Sequence, residues 1–141
     1  PFTASTPRLV NVSARCQVDS TGAGSLIAGF VIGGSTCETV LIRGIGPGLT
    51  AYGVPGVLPD PTLDVHTTIN NQDTVLAAND DRSGDAVLTT VFKQVGAFAL
   101  TDTASKDAAL IVTLPPGAYT ANLNANGATG GVGLIEVYEV P

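Results

Sequence analysis

Strict alternation of apolar and polar side chains is the feature that most limits what this chain can fold into. In LVNVSARCQV, Val10, Val12, Ala14, Cys16 and Val18 fall on one face and Asn11, Ser13, Arg15 and Gln17 on the other, the period of a strand with one side buried and one side wet. SLIAGFVI and CETVLIR follow around GGST; the first is apolar on both faces, the pattern of a strand inside a sandwich. TLDVHTTI and TVLAA form the next pair across INNQD, and AALIVTL, GAYTANL and VGLIEVYEV close the chain through PPG and NANGATGG. One segment, GDAVLTTVFKQVGAF, changes period. There Val87, Leu88, Val91, Phe92 and Val95 make a helical stripe, with Asp85 placed to cap its start and Gly96 to end it.

About eight short strands with Gly/Pro turns and one helix predict an all-β fold, an antiparallel β-sandwich or jelly-roll-like domain, and not an alternating α/β fold. The chain shows no internal repeat of solenoid length. Its 141 residues fit one domain, divided here into an N-terminal extended arm, residues 1–7, and a sandwich, residues 8–141.

Charge narrows the partners. Twelve acidic residues against six Lys and Arg give a net charge of −6 and an isoelectric point near 4.3. Nucleic acid and anionic membranes both demand clustered cations, so neither is an expected partner. Carbohydrate, a cation or another protein remains open. LIAGFVIGG is too short to span a bilayer, and no segment has the basic head and apolar middle of a signal peptide. Pro1 is an unusual residue to follow a signal-peptidase cut, which suggests further processing or a longer precursor.

No motif supplies a catalytic set. His66 is the single histidine, beside Asp64 on the polar side of its strand, and no G-x-S-x-G elbow accompanies it. The expectation is a surface residue and no enzyme. Cys16, on the inward face of its strand, and Cys37, two elements on, are expected to meet across adjacent strands as a disulfide, which implies an oxidising compartment; two buried free thiols are the alternative. In AANDDRSGDAV, Asn79, Asp81 and Asp85 with Gly84 at the sixth place mimic the first half of a calcium loop, but Thr90 stands where the bidentate Glu belongs. The alternative is a capping turn for the helix. RGIGPGLTAYG is broken by Pro47 and lies in no βαβ unit, so it reads as a tight loop and not a nucleotide fingerprint. Asn11-Val12-Ser13 matches the N-glycosylation acceptor, and the Ser and Thr of TAST, HTT and LTDTAS offer hydroxyls for O-linked sugar.

RLVNVSAR, LIAGFVIGG, VLIRGIGPGL, LPDPTLDVH, LAANDD and DAALIVTLPPGAYTANLNANGATGGVGLIEVYEV together resemble a β-sandwich module of secreted and surface proteins of environmental bacteria, over nearly the whole chain from Arg8 to Val140. Such modules stand near C-termini or beside other extracellular modules. The stretch from DPTLDVH through NDD to PPGAYTA is also distantly similar to the pre-peptidase C-terminal domains of secreted proteases, non-catalytic sandwiches of which some bind calcium or matrix polymers. The resemblance implies an extracellular bacterial building block with no catalytic residues to carry over. Asn79, Asp80 and Asp81 match the acidic block where calcium sites occur in the distant relatives. The two cysteines and the insert HTTINNQDTV depart from the pattern.

The arm completes the expectation. Phe2, Thr3, Ala4, Ser5 and Thr6 precede the first family-like strand, place apolar Phe2 and Ala4 at strand spacing, and are bracketed by prolines that disfavour a helix. So short and polar a segment does not order itself. A sandwich with an exposed edge can accept it from a neighbour, and a head-to-tail contact that does not close builds a filament. The expected function is a self-assembling, non-enzymatic subunit of an extracellular fibre, whose partners are copies of itself and attached glycans. The rival is a polysaccharide- or matrix-binding module of a larger secreted protein, with calcium as its only candidate cofactor.

Overall fold

The structure, a computed structural model, describes residues 9–21 and 23–141; the expected arm, residues 2–6, lies outside them. Among the described residues, eight strands form two sheets: β1 (Asn11–Val18), β2 (Leu26–Ile32), β3 (Glu38–Ile45), β4 (Pro61–Ile69), β5 (Gln72–Asn79), β6 (Ala108–Leu114), β7 (Gly117–Ala125) and β8 (Gly131–Glu139). The first sheet runs β1-β8-β3-β6 and the second β2-β7-β4-β5, with every pairing between these strands antiparallel. The chain is therefore a β-sandwich with one short α-helix, α1 (Ala86–Gln94), as its alternating pattern predicts.

Two apolar clusters hold the layers. Between the sheets lie Val18, Ile42, Leu63, Val65, Leu123 and Ile135. On the outer side of the first sheet, Leu41, Ile45, Leu49, Leu88, Phe92 and Tyr138 form a second cluster under α1. β3 feeds both, Val40 and Ile42 inward and Leu41 and Ile45 outward. Each fully buried Leu or Ile of this kind contributes roughly 1.5–3 kcal/mol relative to exposure.

Local chemistry sets the turns. Asp85 Oδ1 accepts from the Val87 amide at 2.7 Å, satisfying a free donor of the first turn of α1. Gly96, at φ 72°, ends the helix as Ala97 N donates to Phe92 O at 2.8 Å. β4 and β5 meet through Asn70 and Asn71 alone, at φ 52° and 61°, the two-residue turn whose twist suits a hairpin. The glycine string is more ordered than a loop: Pro47–Tyr52 is a 3-10 helix. Buried Asp107 receives the amides of Gly46 and Gly48 at 2.9 and 3.0 Å and the Ser105 hydroxyl at 2.6 Å. A Cβ at Gly46 would stand 2.0 Å from Leu58 O, so this close approach requires glycine.

Three expectations change. β2, read as an interior strand, stands at an edge of its sheet, and its outward Ile27 and Val31 are 58% and 74% exposed; the interior strand apolar on both faces is β3. The face of β1 read as buried carries Val18 in the core, but Val12, Ala14 and Cys16 are exposed. Val12 and Ala14 pair with Val137 and Ile135, so they do face the inter-sheet space, where the sheets stand open at the β1 and β2 edges. Finally, Cys16 and Cys37 are free, exposed thiols. β8 separates β1 from β3. Cys16 aligns with Gly133, just beyond the Ile45–Leu134 pair, while Cys37 precedes the other end of β3, an offset of about 30 Å along the strands. A disulfide needs Cα atoms closer than about 7 Å.

Candidate functional site

The sandwich stands open on the side between β1 and β2. This opening forms a mostly apolar cleft of about 330 Å³, with Val10 and Val12 on one lip, Ala28 and Phe30 on the other, Val40 and Val137 at its floor, and Glu38 and Glu139 also in its lining. Phe30 stacks on Tyr119 with ring centroids 5.6 Å apart, and the Tyr119 hydroxyl donates to Pro115 O at 2.7 Å. That fixes one wall. Leu9, at the mouth, is 76% exposed. An apolar concavity between two unpaired strand edges can take an extended, uncharged segment, supplying backbone partners and an apolar floor together.

Asn11 of the glycosylation motif also lines this cleft. Its Nδ2 donates to Val137 O at 3.2 Å, so the nitrogen that would carry a glycan is turned into the sheet.

A second site lies at the far end of the β4–β5 hairpin. Leu63 pairs with Asn79, so residues just before β4 and just after β5 come together. Asp60, Asp80 and Asp81 converge there with carboxylate oxygens within 4.8 Å of one another. Lys106 Nζ lies 3.1 Å from Asp81 Oδ2 and 3.7 Å from Asp60 Oδ2, and Asn126 Nδ2 reaches Asp60 at 3.3 Å and Asp80 at 3.3 Å. The hydrogen bond to Asp81, with the nearby Asp60 charge, raises the Lys106 pKa. One oxygen each of Asp60 and Asp81 is shielded without a hydrogen-bond partner. Three carboxylates of this kind could hold a hard cation such as calcium.

The expected calcium set divides. Asp81 joins the acidic corner, whereas Asn79 Oδ1 accepts from Ala109 N at 2.9 Å and Asp85 caps α1. Asp80 follows from the acidic block. Asp60 does not, because the only signal for it is the pairing of strands some twenty residues apart.

His66 pairs through Nδ1 with Asp73 Oδ2 at 2.9 Å, and its cross-strand partner in β7 is Thr120. Buried polar chemistry is concentrated elsewhere. Arg43 and Glu136, both buried in the outer cluster, form an ion pair, and Arg43 lies between the rings of Phe92 and Phe98 at 4.7 and 4.3 Å. Arg43 Nη1 also donates to Phe98 O at 2.7 Å. This pair is enclosed by packing and opens on no cleft lining. Among the described residues, no helix is long and apolar enough to cross a membrane.

No protein-family profile matches the chain, and no curated protein matches it by sequence. Among solved structures it is similar to the pre-peptidase C-terminal domain of a collagenase from Bacillus anthracis, at 10% identity and a TM-score of 0.53 over 91% of this chain and 89% of that one. The similarity is one of fold, the β-sandwich of such domains, and agrees with the distant likeness seen in the sequence.

Proposed function

We propose that this chain is a non-enzymatic structural subunit of an extracellular bacterial fibre that assembles head to tail by donating its N-terminal arm. The observation that carries this reading is the open apolar cleft between β1 and β2, a concavity that the chain's described residues leave unfilled and that an uncharged extended segment fits. Residues 1–7, PFTASTP, carry no charged side chain and are the segment this reading assigns to it. Head-to-tail strand donation between identical subunits is heterologous, and where its rotation does not close it propagates. The pre-peptidase-type fold, a non-catalytic module of secreted proteins, favours an extracellular, non-enzymatic setting. Negative-stain microscopy of the purified chain tests the proposal. Filaments whose axial repeat matches one sandwich support it; dispersed single domains at high concentration contradict it.

A second reading is favoured by the acidic corner. Asp60, Asp80 and Asp81 would serve a calcium-dependent matrix- or polysaccharide-binding module of a larger secreted protein. A calcium-induced rise in melting temperature, reversed by chelator, together with retention on a polysaccharide column, would move this reading ahead.

A further inference from the structure

We infer that the acceptor for the arm is the free edge of β2, where residues 2–6 of a second copy add as a fifth strand, in the order arm-β2-β7-β4-β5, and cover the cleft beside β1. This rests on the fibre reading and names its docking surface. Of the four edge strands, three carry the usual protection against pairing. β1 presents Ser13, Arg15 and Gln17 on its outer face. β5 is interrupted by a register shift opposite Val65 and His66 and carries Asp73. β6 is engaged along its edge, where Ala109 N donates to Asn79 Oδ1 and Arg82 N to Asp107 O.

β2, LIAGFVI, has no charge, no proline and an unbroken register with β7. Its exposed outer face consists of Ile27, Gly29 and Val31. Gly29 is unexplained by the subunit's own packing: its φ is not positive and a Cβ there would meet nothing within 4 Å. Glycine inside a strand goes with a bulge, a bend or the close approach of a ligand or another backbone; the unbroken register with β7 leaves no bulge here, and the space beside Gly29 is open to such an approach.

The dimensions and chemistry of the arm match. Five extended residues span about 17 Å, within the roughly 23 Å of seven-residue β2. Alternation puts Phe2 and Ala4 on one face, for Ala28 and Phe30, and Thr3 and Ser5 on the other. The donor is a second copy because the fibre reading joins one subunit to the next; an arm folded back on its own β2 would leave the chain monomeric.

Amide hydrogen exchange on the full chain, assembled against dispersed by dilution, tests the assignment. Amides of residues 26–33 should slow by about tenfold or more on assembly. The variant Ile27→Lys with Val31→Lys, both at exposed positions, should keep its melting temperature within a few degrees and assemble only at a concentration raised by at least about tenfold. Gln17→Lys, on β1, should assemble normally. If assembly protects another surface and leaves residues 26–33 unchanged, the β2 assignment is overturned while the fibre reading stands. If the full chain stays monomeric at every concentration, both are overturned.

Discussion

Arg43 and Glu136 are direct cross-strand partners of β3 and β8 and form a buried ion pair, with Arg43 Nε donating to Glu136 Oε2 at 2.7 Å and Tyr138 donating to the other oxygen at 2.9 Å. Every polar atom of this pair that can be matched has a partner among Phe98, Tyr138 and the pair itself. Removing one member leaves a buried charge uncompensated, which costs about 3–5 kcal/mol. Glu136→Ala should therefore destabilise the sandwich by that amount in urea denaturation. Arg43→Met combined with Glu136→Leu should cost much less than the sum of the single changes. Additive losses would show that the two residues act separately.

The cysteines give a direct chemical check. Both are exposed and free, so native protein purified without reductant should take up two alkyl groups under iodoacetamide, and reductant should leave the melting curve unchanged. A mass two protons below the reduced chain, with no alkylation, would contradict the separation of Cys16 and Cys37 at opposite ends of their sheet.

Lys106 is the cation of the acidic corner. Lys106→Met should lower the melting temperature at low salt by leaving Asp60, Asp80 and Asp81 mutually repelling, and high salt should recover most of the loss by screening. A loss independent of salt would assign Lys106 a packing role instead.

Alkaline pH should destabilise the protein for two reasons of the same sign. Tyr138 is held neutral by burial and by the Glu136 charge, its pKa raised from 10.0 to about 12. Between those values the unfolded chain releases the phenolic proton and the folded chain does not, so stability falls as pH rises from 10 towards 12. Lys106, raised above its usual 10.5, contributes stability below that value and loses it as pH climbs through its folded pKa. Melting temperatures measured across this range should fall, and Tyr138→Phe should flatten the decline.

Much of the fold was legible because alternation survives wherever one face is buried: VGLIEVYEV and AALIVTL became β8 and β6, and Asp85 and Gly96 bound the helix as expected. Alternation does not reveal which strand is at an edge. Thus β2 read as interior, and Cys16 read as buried because it shares the inter-sheet face with Val18. What decides both is the opening between the sheets, a property of strand order and not of any local segment. The acidic corner was half visible for the same reason, since Asp80 and Asp81 are contiguous while Asp60 arrives through the β4–β5 register.

In the proposed fibre, residues 1–7 join one subunit to the next. The most direct test of that link is light scattering with electron microscopy on the intact chain and on a chain lacking those residues, each first shown to be folded by its melting transition. Filaments are expected from the intact chain and a folded monomer from the shortened one, with Phe2→Asp assembling weakly. Filaments of normal length from the shortened chain would contradict the link.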